Sequence, residues 1–134
     1  MSAKNGASEA PAEKGKILNL TQHPATPDQV AAGVVEPKDK ARVRELLTFN
    51  ELPTPEELKE RVKALTEIVL EEGFSKAMIG GAPYLMYPLE IRLRTQGILP
   101  LYAFSKREIE EIQLPDGSVK KTLVFKHLGF VKTY

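Results

Sequence analysis

The chain contains no cysteine. That removes disulfides, thiolate nucleophiles and cysteine-ligated zinc. It has no tryptophan and only two histidines, His23 and His127, and two imidazoles without a matching carboxylate pattern make no metal motif. No stretch approaches the ~20 apolar residues that span a bilayer, and the residues after Met1 lack the apolar run of a secretory leader. Net charge is nearly absent: 19 basic against 18 acidic residues leave +1. That balance supplies no strong field for duplex nucleic acid or for an anionic membrane. A small anionic ligand needs only a local cluster of donors, so that class stays open. The expected compartment is the cytoplasm, and no cofactor is expected.

What is present is ordinary for a folded protein. The 134 residues are 42% hydrophobic and 28% charged, and a chain of this size buries about two-thirds of its unfolded surface. Residues 1–15 are rich in Ala, Glu, Lys, Ser and Gly and read as a disordered tail. Residues 16–134 read as one α/β domain.

Ile17, Leu18 and Leu20 predict a first strand, ended at Pro24. Thr26-Pro27-Asp28-Gln29 carries a capping box with proline at the first helical position, and Gly33 stops the short helix it opens. Pro37 predicts a second short helix to about Leu46, and Leu47-Thr48-Phe49 a very short strand. Thr54-Pro55-Glu56-Glu57 opens the clearest helix, with Leu58, Val62, Leu65 and Val69 in one stripe and Gly73 at its end. Ala77-Met78-Ile79 predicts a buried strand. A helix follows to Gln96 with Leu85, Leu89 and Leu93 inward.

Ile98 to Phe104 is an apolar strand in which Pro100 argues for an edge or a bulge. Residues 108–113 alternate, Pro115-Asp116-Gly117-Ser118 predicts a hairpin turn, and Val119 to Phe125 returns. Strands alternating with helices imply a mostly parallel three-layer α/β domain, with a C-terminal antiparallel hairpin.

In open α/β sheets ligands bind beyond the carboxyl ends of the strands. Three segments are expected there: Thr21-Gln22-His23, then Gly80-Gly81-Ala82-Pro83-Tyr84, then Ser105-Lys106-Arg107. The glycine pair lets backbone approach a ligand closely, and the helix behind it offers free amides to an anion. The same turn serves equally as a tight connection without a ligand. His23 is suited to proton transfer near neutral pH, or to bonding a loop carbonyl. Arg107 offers a planar donor fork to phosphate, or is a solvated strand residue. Ser105 lacks the glycine elbow of a nucleophile. Tyr84 is placed to stack on a base or to pack at the helix start. His127 reads as a partly buried strand residue, and Glu108, Glu110 and Glu111 as a solvated face. No catalytic residue is assigned.

Three segments, Asn19-Leu20-Thr21-Gln22-His23-Pro24-Ala25-Thr26, Gly80-Gly81-Ala82-Pro83 and Tyr102-Ala103-Phe104-Ser105, resemble an uncharacterised family of small proteins from bacteria and mobile elements. The opening strand followed by His-Pro-x-Thr also resembles small accessory proteins of type III CRISPR systems. That resemblance implies a Rossmann-like fold related to the CARF domain, binding of a cyclic oligoadenylate as sensor, sponge or ring nuclease, and a homodimer. Carried over by position, it implies ligand contacts at Thr21, Gln22, His23, Gly80, Gly81, Ser105 and Arg107. The chain departs from CARF proteins in lacking a separate effector domain and a ring-nuclease signature. A competing expectation is a non-catalytic interaction protein that uses Phe130, Val131 and Tyr134 as a partner surface.

Overall fold

The computed structural model describes residues 15–133. The expected tail to residue 14 and Tyr134 lie outside the described residues. Strand β1 is Ile17–Leu20, helix α1 Pro27–Ala31, strand β2 Val34–Val35, helix α2 Lys40–Leu47 and helix α3 Pro55–Glu71. Strand β3, Lys76–Ile79, leads into helix α4, Pro83–Thr95. The long strands β4, Leu99–Gln113, and β5, Val119–Val131, complete the chain. The sheet order is β2-β1-β3-β4-β5, parallel from β2 to β4, with β5 antiparallel to β4.

The local signals act as chemistry dictates. Thr26 caps α1 through a reciprocal box with Gln29, and Thr54 caps α3 by accepting from the Glu57 amide. Gly73 and Gly97, at φ +80° and +77°, end α3 and α4 in a backbone region where a Cβ is strained. Pro100 lies in a strand that has neighbours on both sides. It pairs with Ala77, whereas β5 reaches β4 only as far as Tyr102, so at Pro100 the strand has one registered partner.

One expected element needs correction. Residues 47–49 form no strand: Leu47 closes α2, and Thr48 caps it with its hydroxyl on the Arg44 carbonyl. The second strand is instead Val34–Val35, which two residues of apolar sequence are too short to announce.

The main core lies on one sheet face. Leu18, Leu20, Ala77 and Ile79 meet Val43, Leu65, Val69, Leu85, Leu89 and Leu93 from α2, α3 and α4. The opposite face carries a small cluster, Ile17, Val34, Met78 and Leu101, covered partly by Ala25 and Phe130. The expected third layer is therefore reduced. Helix α1 has five residues and buries none of them, so it supplies no apolar stripe to cover that face. Phe130 is also corrected by this packing: it lies half-buried against the sheet rather than on an open partner surface. Among the described residues no helix is long and apolar enough to cross a membrane.

Candidate functional site

From β1 the chain steps to β2 on one side of the sheet, and later to β3 on the other. The carboxyl ends of β1 and β3 thus flank a topological switch point, where loops diverge and leave a crevice. Thr21 and Gly80 leave the sheet there side by side. A Cβ on Gly80 would stand 3.6 Å from the Thr21 methyl, and one on Gly81 3.4 Å from Met86 and 3.9 Å from Leu47. Thr21 and Gly80 therefore adjoin, as their strand positions require.

The loop after β1 is held by residues whose importance was not apparent in the sequence. Asn19 is a fully buried polar side chain within an apolar strand. Its Oδ1 accepts from the Thr21 amide at 3.0 Å and the Thr21 hydroxyl at 2.7 Å. Its Nδ2 donates to the His23 carbonyl at 2.8 Å and to Glu36 at 3.0 Å. Lys40 Nζ donates to the Thr21 carbonyl at 2.7 Å and the His23 carbonyl at 3.1 Å, and pairs with Glu36 at 3.2 Å. Glu36 also accepts from the Ala25 amide at 2.6 Å. Gln22 reaches across to the Leu47 carbonyl at 3.2 Å and the Thr48 hydroxyl at 3.1 Å.

The His23 carbonyl thus accepts from Asn19, Thr21 and Lys40 together. Its exposed side chain leaves from a backbone fixed at three points. Burial pushes the Glu36 carboxyl up. The Ala25 amide, Asn19 and Lys40 outweigh burial and hold it below the ordinary carboxylate value. Burial lowers the Lys40 ammonium, with Glu36 opposing. The signals that mark this network are an asparagine inside Ile-Leu-Asn-Leu and the four-residue spacing of Glu36 and Lys40.

Beside the glycine turn a surface cleft of about 570 Å³ opens, walled by Phe49, Asn50, Glu51, Leu52, Pro53, Leu58 and Tyr84. Its size falls within the range of roughly 300–1,000 Å³ usual for small-molecule sites. Phe49 and Tyr84 meet edge to face with ring centres 5.4 Å apart. The Arg61 guanidinium lies 4.2 Å over the Phe49 ring, bonds the carbonyls of Glu45, Leu46 and Thr48, and pairs with Glu57 at 2.8 Å. Arg61 therefore closes the carbonyl end of α2, and fixes Phe49 as one wall. At the other wall Tyr84 is half exposed, and helix α4 starts at Ala82 without a side-chain cap. An uncapped helix start carries partial positive charge, although Pro83 has no N–H and the Leu85 amide already donates to the Ala82 carbonyl at 3.0 Å.

Ser105 and Arg107 belong elsewhere. Strand β4 does not end at Phe104 but continues to Gln113 in a two-stranded arm with β5, where Ser105 pairs with His127 and Arg107 with Phe125. The apolar count dropped after Phe104, and that drop reflects loss of covering layers rather than the end of the strand. Arg107 lies 5.8 Å from the Phe125 ring centre. His127 is the half-buried strand residue its position suggested; its ring meets Phe130 at 4.8 Å and its Nδ1 is buried without a partner. Among the described residues no three histidine or carboxylate side chains are grouped to hold a metal ion.

Residues 15–131 match the model of the family described as the uncharacterized protein MJ1673 family. No curated protein and no solved structure matches the chain.

Proposed function

This chain belongs to the uncharacterized protein MJ1673 family, and we propose that it binds a nucleotide at the carboxyl rim of its sheet. The observation that carries this reading is the aromatic cleft beside the glycine turn. A base stacks on an aromatic ring, and half-exposed Tyr84, braced edge to face by Phe49, supplies one. A phosphate requires donors close to that wall, and the uncapped start of α4 follows Gly80-Gly81 directly. Thr21 stands beside Gly80, and the loop it opens runs on into His23, whose carbonyl Lys40 holds.

The finer form of the proposal is a Rossmann-like, CARF-like protein of the CRISPR-associated kind, a sensor, sponge or ring nuclease for a cyclic oligonucleotide. The sheet order with its switch point supports the Rossmann-like part. In this reading Thr21, Gln22, His23 and Gly80–Tyr84 touch the ligand and Arg107 does not. No residue is assigned a bond-breaking role.

Thermal shift with a panel of cyclic and linear adenylates and other mononucleotides tests the proposal. At least one is expected to raise the melting temperature of the parent. The variant Tyr84→Ala, at a half-exposed position, should melt like the parent and lose that response. A folded parent that responds to none of the panel ends this reading.

A second reading is a non-catalytic interaction protein. It is favoured by the arm itself, whose residues from Ala103 to Gln113 are exposed except for half-buried Glu108.

A further inference from the structure

The β4–β5 arm leaves the body with both of its faces uncovered. Strand β3 registers with β4 only as far as Leu101. From Phe104 to Gln113 alone, at about 3.4 Å per residue, the arm spans roughly 30 Å. Residues paired across two strands share a face, and successive residues alternate. One face therefore continues Tyr102, which packs on the helical side of the sheet. It reads Lys106 with Lys126, Glu108 with Val124, Glu110 with Thr122 and Ile112 with Lys120. Apart from Phe104, which pairs with Gly129, and Ile112, that is a charged surface.

The opposite face continues Leu99 and Leu101. It reads Arg107 with Phe125, Ile109 with Leu123, then Glu111 with Lys121. Its centre is apolar and open: Ile109 is 68% exposed, Leu123 51% and Phe125 66%. A two-stranded hairpin by itself is marginally stable in water, and needs a further layer on its apolar face. Three apolar side chains held in a row on such an arm are a contact surface awaiting its other half.

The order of residues on this face says what the other half is. Place a two-fold axis through the Ile109–Leu123 pair, lying between two arms stacked face to face and running in opposite directions. Each strand then lies over its own copy. Ile109 and Leu123 meet Ile109 and Leu123 of the second copy. One step to either side, Arg107 falls opposite Glu111 of the second copy, and Phe125 opposite Lys121. Two-fold symmetry repeats both contacts. The face is thus complementary to itself in charge, with an ammonium over an aromatic ring on each flank. The bodies lie at opposite ends and do not compete for space.

The β5 edge offers no equal alternative. The outer strand β5 carries Lys120, Lys121 and Lys126, so edge-to-edge pairing of two copies would align like charges. The geometry points to a second copy of this chain as the occupant of the arm's open face, with antiparallel arms stacked through Ile109 and Leu123. This inference stands on the arm alone and does not depend on the nucleotide reading.

The absence of cysteine makes a direct test available. In the full chain, Ile109→Cys sits at the two-fold axis and should form an intermolecular disulfide under mild oxidation. Ile112→Cys, on the charged face, should not. Sedimentation of the parent over a range of concentrations should show twice the monomer mass. Arg107→Glu should weaken association by about tenfold or more, because it sets two carboxylates opposite each other at both flanks. Glu111→Arg should do the same, and the double exchange Arg107→Glu with Glu111→Arg should restore it. All of these substitutions are at exposed positions, and circular dichroism verifies that each variant is folded. A parent that stays monomeric at every concentration overturns the proposal. So does equal cross-linking at both cysteine positions, or failure of the double exchange to restore association.

Discussion

The rim and the arm of this molecule are built on opposite principles. At the rim, buried Asn19, half-buried Lys40 and the more exposed Glu36 converge on five residues of loop and tie down its backbone. In the arm, two long strands hold each other through a backbone ladder while their side chains stand in water. Order at the rim comes from side chains that saturate backbone groups. Order in the arm comes from backbone alone, and leaves side chains free to meet something else. A region whose polar groups are satisfied internally presents a fixed shape to a small ligand, whereas one whose apolar groups are unsatisfied presents a surface to another protein.

The largest expected effect contrasts packing in the two regions. Leu18 is fully buried in the main core and Leu123 is half exposed. Leu18→Ala should cost about 2–5 kcal/mol in urea unfolding, from lost transfer energy and the cavity left behind. Leu123→Ala, measured at a concentration where the chain is monomeric, should change stability by less than about 0.5 kcal/mol. Equal costs would show that the arm is packed in solution and erase the contrast.

Next in size is the buried amide. Asn19→Ala removes the partner of the Thr21 amide and donors from both the His23 carbonyl and Glu36. Leaving buried polar groups unpaired costs about 1–3 kcal/mol. Hydrogen exchange should locate the change: the amides of Thr21 and Ala25 should exchange faster, with the arm unaffected. Acceleration spread evenly over the chain would mean that Asn19 supports the whole fold rather than this loop.

The contrast also explains what could be inferred from the sequence. Helices α1 and α3 were legible because Thr26 and Thr54 cap them, and because Val62, Leu65 and Val69 recur at helical spacing. These are local signals. The adjacency of Thr21 and Gly80 was legible from the rule for strand ends. The role of Asn19 was not, because its partners Glu36 and Lys40 are distant in sequence and only the fold assembles them. The cleft was missed for a similar reason. Phe49, Leu52 and Tyr84 come from two separate segments, and no spacing rule joins them. Arg107 was misplaced because apolar content marks burial, and an exposed arm keeps strand geometry without it.

The smallest expected effect is a pH dependence confined to the rim. The folded carboxyl of Glu36 titrates below the ordinary value of 4.5. A group with a lowered folded pKa stabilises the fold above its unfolded pKa, and that contribution is lost as pH falls through the folded value. The parent should therefore exceed Glu36→Gln in stability by a constant margin above about pH 4.5, and the margin should shrink as acid is added. Half exposure of the carboxylate keeps that margin small. Lys40 works against it, since burial disfavours its charge in the folded state. Chemical unfolding of both proteins between pH 3 and 7 measures the difference. A margin that grows toward low pH would mean that Glu36 is protonated more easily in the fold than out of it, and that the network restraining His23 is not held together by its charge.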